Sequence, residues 1–388
     1  MISGRGLVSE SAKHQPLTTV CQPLKMNPLK KLAFLWSYSL LAVILGSYYI
    51  GGPGYTWLGG FYVYAIIPVL DAIAGKDRQN VGDVDYDDVL NDHYFDVLVY
   101  SFVYIQYALL IWGCYVLTFN EFTTGQSIRL MISIGLFGGT IINIAHELGH
   151  RSGKTAQVHA KAALLSVSYM HFFIEHNRGH HVHVATLNDP ATSRRGQSVY
   201  AFWWQSIVGS YHSAWRIEEK LLAKAGHKTW SRYNNMIWFT ALPVVLLLAL
   251  TVGFGLWAGG FVWQIPVFFG VQSLIAILLL ESVNYIEHYG ILRREVSPGR
   301  FERVNPLHSW NASHFVSNLV LFQLQRHSDH HANASRPYQV LRHVDESPQL
   351  PFGYPLMILI SLVPPLWFRL MDNRLDTWSR QRNQFQPA

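Results

Sequence analysis

The chain has 388 residues, of which half are hydrophobic and only 14% are charged. A soluble domain carries about 25% charged residues, so this composition argues against a soluble protein and points to one embedded in a membrane. Two cysteines, Cys21 and Cys114, are too few for a disulfide framework or a thiolate metal site. The net charge of +6 is modest and scattered, and no nucleic-acid motif accompanies it.

Apolar runs long enough to cross a bilayer predict an all-α polytopic membrane protein. Residues 1–30 are expected to form a cytoplasmic extension, and residues 31–388 a single membrane-embedded domain. Six transmembrane helices are predicted, at about 32–50, 55–74, 94–119, 128–146, 236–257 and 260–285. The apolar run 351–371 is interrupted by three prolines. It is interpreted as an interfacial or packing helix rather than a seventh span.

The distribution of lysine and arginine predicts the orientation of these spans. Lys30 and Lys31 precede the first span, Lys76 follows the second, and arginines follow the fourth and the sixth. Both termini and both long polar segments, 146–235 and 286–350, are therefore expected on the cytoplasmic side. This orientation places every histidine cluster on one side of the membrane.

Histidines are numerous, at nineteen, and they cluster in four short segments. The segments are HELGH at 146–150, HNRGHH at 176–181, EHYG at 287–290 and HSDHH at 327–331. Clusters of this kind indicate a metal site, because a histidine alone on a helix is usually a solvated or hydrogen-bonded residue. The nine candidate ligands are His146, His150, His176, His180, His181, His288, His327, His330 and His331.

The spacing of these histidines suggests how they share metal ions. Residues i and i+4 of a helix project from one face, so His146 and His150 are expected to converge on one ion. His176 and His180 repeat that spacing, and the three-residue spacing of 327 and 330 also gives one face. One zinc ion takes about three or four protein ligands, so nine imidazoles indicate two ions. Imidazole binds iron, zinc, copper and nickel, and ligand type alone does not choose among them.

Acidic residues near the clusters are candidates to orient the imidazole N–H groups and to offset the metal charge. Two of them are singled out as candidate catalytic carboxylates. Glu281 lies near the end of an otherwise apolar span, where an acid is energetically expensive, and Asp189 follows the second cluster. The full set is Glu147, Glu175, Asp189, Glu281, Glu287 and Asp329.

Four long stretches carry a resemblance to a known family. They are NIAHELGHRSG at 143–153, EHNRGHHVHVATLNDPATSRRG at 175–196, NYIEHYGILR at 284–293 and LQRHSDHHANASRPYQVLR at 324–342. The sequence resembles the integral-membrane alkane monooxygenases, the AlkB-type alkane hydroxylases of the fatty acid desaturase and hydroxylase superfamily. The family's nine histidine ligands would fall on the nine positions named above. Leu187-Asn188, Ala334 and Arg151 depart from the family pattern without removing a ligand.

The resemblance implies a specific reaction, the rubredoxin-dependent terminal hydroxylation of n-alkanes to primary alcohols. It also implies two non-haem iron ions, O2 as co-substrate, and electrons from reduced rubredoxin, which an NADH-dependent rubredoxin reductase supplies. The implied location is the bacterial inner membrane, from which a hydrocarbon would enter between the spans. Candidate channel residues are Trp57, Tyr62, Phe102, Leu130, Ile134 and Phe137, and for any one of them ordinary packing in the core or against lipid is the favoured alternative. Candidate contacts for an acidic electron donor are Arg178, Arg194, Arg195, Arg326 and Arg342, with lipid phosphates or the carboxylates of the motifs as alternative partners.

Three other functions use part of the same sequence evidence. A membrane fatty-acyl desaturase or hydroxylase has similar histidine clusters but acts on an acyl chain. An intramembrane zinc protease would need only the HELGH segment and would leave the other clusters without a role. A histidine-rich metal transporter would place histidines along the spans, whereas here they gather at the ends of the spans.

Overall fold

The computed structural model describes residues 28–385, and the predicted N-terminal extension therefore lies almost wholly outside the described residues. Six helical segments are long and apolar enough to cross a membrane, as the sequence predicted. Each differs from its expected bounds by a few residues at most, except the third, which begins eight residues earlier. Their bounds are Pro28–Gly51, Pro53–Ala74, Tyr86–Phe119, Thr124–Gly149, Asn235–Ala258 and Gln264–His288.

Three of these spans are interrupted. The first consists of Pro28–Ala33, the 3-10 turn Phe34–Tyr38 and Ser39–Gly51. The second consists of the 3-10 turn Pro53–Tyr55, Leu58–Phe61, the π-helical turn Tyr62–Ile66 and Ile67–Ala74. The third begins with the short helix Tyr86–Leu90 and continues as His93–Phe119.

The polar segments between and after the spans are mostly helical. Between the fourth and fifth spans lie Lys154–Leu165, Phe172–Glu175, the π-helical turn His176–His180, His181–His183 and Val199–Lys224. After the sixth span come the antiparallel strands Glu295–Ser297 and Arg300–Phe301, then Pro306–His308, Phe315–Val320, His327–Ala332 and Tyr338–Val340. The apolar run near the C-terminus forms the eight-residue helix Tyr354–Ser361, and Pro364–Phe385 follows it. Tyr354–Ser361 is too short to cross a bilayer.

The fourth span is the central helix of the molecule. In its most apolar 18-residue stretch 78% of the residues are buried. In the corresponding stretch of the fifth span only 17% are buried, so most of the fifth span is left to face lipid. Glycines let the sixth span approach the fourth closely: a Cβ atom at Gly135 would lie 2.7 Å from the Cβ of Ile275, and one at Gly139 would lie 2.8 Å from Leu279. Small residues are the usual means by which membrane helices pack tightly. This contact holds the histidine-bearing ends of the two spans side by side.

Candidate metal centre

The fourth and sixth spans carry the first three histidines. His146 and His150 lie one helical turn apart at the end of the fourth span, and His288 is the last residue of the sixth. The chain crosses the bundle twice between the end of the fourth span and the end of the sixth, once in the fifth span and once in the sixth. Both ends therefore lie on the same side. The chain therefore delivers these imidazoles to one place through the packing of two rigid helices.

The second histidine segment is held in a π-helical turn, His176–His180. Gly179 is required there, because a Cβ atom at that position would overlap the carboxylate of Glu175. Turns of this type are rare and are often found at functional sites. In an α-helix residues four apart share a face, but in this wider turn residues five apart do so. The turn therefore changes which histidines lie on the same side of the helix.

The fourth segment lies on the helix His327–Ala332 and is fixed by contacts that reach across the fold. Two residues with left-handed backbone, Phe322 (φ 51°) and Gln323 (φ 55°), turn the chain towards it. The side-chain amide of Asn143 donates a 2.7 Å hydrogen bond to the Leu321 carbonyl, which ties this turn to the fourth span. The buried guanidinium of Arg326 donates to the carbonyl oxygens of Leu341 and Gln79, at 2.6 and 3.0 Å. Backbone strain of this kind persists only when the surroundings impose it.

The nine predicted histidines come together in two groups, each with one ring nitrogen per residue directed inwards. The larger group has five members and the smaller has four, and within each group these nitrogens lie within 4.8 Å of one another. Neighbouring Nε2 atoms are separated by 2.8–3.3 Å. The five-histidine group consists of His146, His150, His176, His181 and His330; the four-histidine group consists of His180, His288, His327 and His331.

The pairing within these groups differs in part from the expectation based on helical spacing. His146 and His150 do share a group, but His176 and His180 are divided between the two groups. The π-helical turn is the cause, because it aligns His176 with His181 instead. In the fourth segment His327 pairs with His331, one α-helical turn away, and His330 joins the other group.

Both groups fit a metal ion. Zinc–nitrogen bonds are about 2.0–2.1 Å long, and two such bonds at a right angle place their nitrogens about 2.9 Å apart. The observed separations of 2.8–3.3 Å match that arrangement. Imidazole nitrogens facing one another without a metal cannot all be satisfied, because each such pair needs one donor and one acceptor. A divalent ion that accepts imidazole nitrogens fits this donor set.

The surroundings keep most of these imidazoles neutral, which is the form that binds metal. Burial lowers the pKa of His150 to about 4. For the other members outside the spans, burial and repulsion from neighbouring imidazoles lower the pKa well below its usual value; they are His176, His181, His327, His330 and His331. His180 differs, because its carboxylate partner outweighs burial and raises its pKa.

That partner is Asp189, one of the two predicted catalytic carboxylates. Its Oδ2 lies 2.9 Å from Nδ1 of His180 and also accepts a 2.6 Å hydrogen bond from the Thr192 hydroxyl. Burial opposes ionisation of Asp189, but His180 outweighs it and lowers the pKa of the carboxyl group. A carboxylate on the second ring nitrogen fixes the tautomer that presents Nε2 to a metal. The geometry therefore gives Asp189 an orienting position outside the ligand set.

Glu281, the other predicted catalytic carboxylate, is buried but contacts none of the nine imidazoles by hydrogen bond. It accepts from the Tyr169 hydroxyl at 2.6 Å and from the Asn284 amide at 3.2 Å. Glu287, further along the same helix, does reach the centre, since its Oε2 lies 3.2 Å from Nε2 of His327. Of the six predicted acidic residues, only Asp189 and Glu287 form a hydrogen bond or ion pair with a clustered histidine in the described part of the chain.

The remaining acidic residues hold the scaffold around the centre. Glu147 accepts from Arg151 at 3.0 Å and from the backbone N–H of Tyr338 at 3.2 Å. Asp329 accepts two hydrogen bonds from Arg336, at 2.5 and 2.6 Å. Glu147 is therefore engaged by a cation, which does not suit the general base that a zinc protease needs beside its metal.

An apolar cavity leads from the membrane-spanning helices to the histidines. It lies between the first, second, fourth and sixth spans and the helices Phe315–Val320 and Tyr354–Ser361. A smaller space, lined by His146, His176, Glu287 and His327, adjoins it. The two share four lining residues, which are Asn143, Leu280, Val283 and Leu324. Sequence reasoning missed this cavity, because its walls come from six separate helical elements.

The six candidate channel residues do not line this cavity. Four of them are fully buried in the helix core: Phe102, Leu130, Ile134 and Phe137. Tyr62 is bonded to Ser39 and Trp36 through its hydroxyl. Trp57 is 44% exposed and lies two turns beyond Tyr64, a lining residue, on the same span. A contact of these residues with a hydrocarbon stays a prediction.

A second, polar groove reaches the centre from another side. It is lined by His150 together with Gln157, Lys161, Asn177 and Arg178, and among the described residues no carboxylate lines it. The other arginines proposed for donor contact differ in environment. Arg194 is exposed, Arg195 pairs with Asp376, Arg342 pairs with Asp83, and Arg326 is only 1% exposed beside Asp77.

The sequence profile of the fatty acid desaturase family matches residues 127–361, more than half of the chain. Alkane 1-monooxygenase 2 of Alcanivorax borkumensis is 41% identical over 92% of this chain and 94% of its own length. The chain belongs to the alkane 1-monooxygenase family. The alkane 1-monooxygenase of Acinetobacter baylyi is 38% identical over 90% of this chain and 86% of its own length. The hydroxylase component XylM of the xylene/toluene monooxygenase of Pseudomonas putida is more distant, at 27% identity over 87% of each chain.

Membership of this family, together with six apolar helices, identifies the chain as a multi-pass membrane enzyme of the oxidoreductase class. All nine histidines named from the sequence lie in the two groups that could hold a metal ion. Among the acids of the family motifs, Glu287 directs an oxygen towards Nε2 of a clustered histidine and Asp189 directs one towards Nδ1.

Proposed function

We propose that this enzyme hydroxylates n-alkanes at a terminal carbon, forming primary alcohols, with O2 as co-substrate and two non-haem iron ions held by the nine histidines. The observation that carries the proposal is the junction between the apolar cavity and the small space beside His146, His176 and His327. A hydrocarbon in that cavity would have its end next to both histidine groups. The alkane 1-monooxygenases that share about 40% identity over nearly the whole chain support the same reaction.

The bound irons would supply the oxidising power that an unactivated C–H bond requires, and the protein would supply access and orientation. Leu280, Val283 and Leu324 would hold the end of the hydrocarbon at the junction of the two spaces. The small space beside the histidines favours a terminal methyl group over the middle of a chain, because only a chain end can enter without bending. The apolar walls would also exclude water from the reacting carbon.

The lining of the cavity favours an alkane over a fatty acid. Its polar residues are neutral hydroxyl and amide groups, from Tyr64, Thr140, Asn143, Ser317 and Tyr354. A fatty acid would need a cation or a polar exit for its carboxylate, since burying an unpaired charge is costly. No lysine or arginine lines this cavity among the described residues. An acyl-chain desaturase or hydroxylase is therefore the less favoured function.

We further propose that electrons come from reduced rubredoxin, which an NADH-dependent rubredoxin reductase recharges. The polar groove at His150 supports this step, because Lys161 and Arg178 give it a positive lining beside one histidine group. An acidic protein would be drawn to such a surface by charge complementarity. The lysine and arginine residues that flank the spans support a cytoplasmic location for this face, in the bacterial inner membrane.

Product analysis tests the proposal directly. Membranes containing the iron-loaded enzyme would receive rubredoxin, its reductase, NADH, O2 and a series of n-alkanes, and products would be identified by gas chromatography. Primary alcohols from a band of chain lengths are expected. Unsaturated or internally hydroxylated acyl chains, with no alcohol from any alkane, would refute the proposed substrate and favour the desaturase function.

A further inference from the structure

The two histidine groups are unequal: one offers five imidazole nitrogens and the other only four. The four-histidine group is also the more deeply buried, since every member is buried while His150 and His181 of the other group are partly exposed. A buried divalent ion held by four neutral imidazoles would keep its full charge, which is costly in apolar surroundings. A carboxylate donor on this group would lower that charge by one.

Glu287 is placed to be that donor. Its Oε2 lies 3.2 Å from Nε2 of His327, and the same distance separates Nε2 of His327 from Nε2 of His288. The distance from this carboxylate oxygen to Nε2 of His327 thus falls within the range of distances between neighbouring imidazole nitrogens, 2.8–3.3 Å. Glu287 also lines the small space next to His146, His176 and His327.

The rest of the Glu287 side chain is anchored so that one oxygen stays turned towards the histidines. Its Oε1 accepts a 2.6 Å hydrogen bond from the hydroxyl of Tyr354, which lies on the helix Tyr354–Ser361. The backbone carbonyl of Glu287 accepts from the N–H of Trp310 at 2.8 Å. Only 1% of the residue is exposed, so water does not solvate the carboxylate.

The alternative role for Oε2 is to accept a hydrogen bond from a protonated Nε2 of His327. In that arrangement Nε2 would not bind a metal, and Nδ1 would become the basic nitrogen of the ring. Nδ1 of His327 is buried without a hydrogen-bond partner, as are the Nδ1 atoms of His288 and His331. A ring that directs Nε2 to a metal carries its proton on Nδ1, so Nδ1 is left unpaired in either case. Metal binding, however, keeps Nε2 of His327 among the nitrogens that it faces, those of His331 at 2.8 Å and His288 at 3.2 Å.

We propose that Glu287 is a direct ligand of the ion in the four-histidine group and gives each ion five protein donors. The inference rests on the proposed two-iron function and adds a tenth ligand to the nine histidines. It makes the two ions chemically different, one bound by nitrogen alone and the other by four nitrogens and one carboxylate oxygen. Two inequivalent iron sites should therefore be visible by spectroscopy.

The test uses full-length protein in detergent, loaded with iron-57 as Fe(II), with Mössbauer spectra and the iron content as readouts. Glu287→Gln keeps the shape and the acceptor for Tyr354 but removes the charged donor. It should change the spectrum of half of the iron and leave the other half as in the unsubstituted protein. Glu281→Gln is the matched control, since Glu281 is a buried acid on the same helix whose oxygens contact Tyr169 and Asn284. It should leave both iron signals in place.

Loss of affinity alone does not distinguish the roles, because orienting residues outside the ligand set also cost about 10–100-fold in metal affinity. Glu287→Asp provides the distinction, since it keeps the charge but withdraws the oxygen from the ion. The same half of the iron should change in this variant as in Glu287→Gln. An unchanged spectrum in Glu287→Gln at two irons per chain, or a Glu287→Asp spectrum like that of the unsubstituted protein, would overturn the ligand assignment.

The proposed function fails by a different result. Fewer than two ions in the unsubstituted chain after loading would refute the two-iron site itself, whatever the Glu287 variants show. Two ions in the unsubstituted chain with unaltered signals in Glu287→Gln would refute only the tenth ligand. Thermal unfolding of each variant in detergent checks that the comparison is made on folded protein.

Discussion

Leu136 is expected to set the upper chain length of the substrate. The cavity follows the fourth span from Asn143, beside the histidines, past Gly139 and Thr140 to Leu136 at its far end. Leu136 precedes His146 by ten residues, which is about 15 Å along the helix axis. An extended hydrocarbon advances about 1.27 Å per carbon, given a C–C bond of about 1.5 Å, so this length corresponds to about twelve carbons.

Changing the size of this side chain should move the limit by about two carbons. Leu136→Ala shortens the side chain by about 2.5 Å, the length of two methylene groups, and Leu136→Phe lengthens it by a similar amount. Burial of each methylene group is worth about 0.8 kcal/mol, so two give about 1.6 kcal/mol, or about 15-fold in kcat/KM. Leu136→Ala should therefore favour alkanes two carbons longer by about 15-fold, and Leu136→Phe should disfavour the longest substrates by a similar factor.

Competition between alkanes of different length measures this shift, because the ratio of alcohols formed from a mixture gives the ratio of kcat/KM values directly. Met131→Ala is the control for lost packing. Met131 is also buried on the fourth span, but it packs in the cluster around Phe268 and does not line the cavity. An identical product profile in both Leu136 variants, with iron content maintained, would refute the assignment of this cavity to the substrate.

Three other substitutions test the support around the centre. Asp189→Asn removes the charged acceptor on Nδ1 of His180, and iron retention during dialysis against a chelator should fall about 10–100-fold. Gly179→Ala forces a methyl group against the Glu175 carboxylate and should lower the free energy of unfolding by about 1–3 kcal/mol, measured by thermal melting. Burial lowers the pKa of His171 to about 4 from 6.5. Its contribution to stability is therefore full above pH 6.5 and is lost as pH falls towards 4, a change of about 3 kcal/mol that His171→Asn should remove from melting curves.

The sequence was a good guide to the spans and a poor guide to the polar segments. Hydrophobic length identifies a transmembrane helix almost independently of the rest of the fold, and all six were predicted within a few residues apart from the start of the third. The helix Val199–Lys224 was not anticipated, because its buried face is small and mixed. Its buried residues include Ser206, Ser210 and Glu218, which carry no apolar signal.

The nine histidines of the candidate site were predictable, but their division between two groups was not. Clustering of histidines was enough to name all nine imidazoles that meet in the structure. Their pairing depends on the π-helical turn at His176–His180, and nothing in a helical spacing rule announces such a turn. Gly179 is the one local sign, since it leaves room for the Glu175 carboxylate. A glycine inside a helical pattern is equally typical of close helix packing or of a helix end, so it does not by itself predict a π-helical turn.

The cavity and the acidic partners required the three-dimensional fold. Aromatic and aliphatic residues on the spans looked alike in sequence, yet Phe102 and Phe137 stack on each other in the core while Leu136 lines the cavity. Likewise, six acidic residues lay near the clusters in sequence, but Asp329 is taken up by Arg336 and Glu147 by Arg151. Short-range position could not separate these acids from Asp189 and Glu287.

The fourth span explains how a hydrocarbon and a soluble electron donor could reach the same five-histidine group without meeting each other. Its residues Leu136 to Asn143 form one wall of the apolar cavity, whereas Gly149 and His150 at its end line the polar groove. His146, between these stretches, also borders the small space at the inner end of the cavity. Reversing the charge of the groove should therefore slow electron transfer to the histidine site and leave the preferred alkane length unchanged. Changes at Leu136 should instead alter the preferred alkane length and leave electron transfer from the donor unchanged. Lys161→Glu with Arg178→Glu, compared with Leu136→Phe, tests this separation by rubredoxin oxidation rates and alcohol profiles in the same membranes.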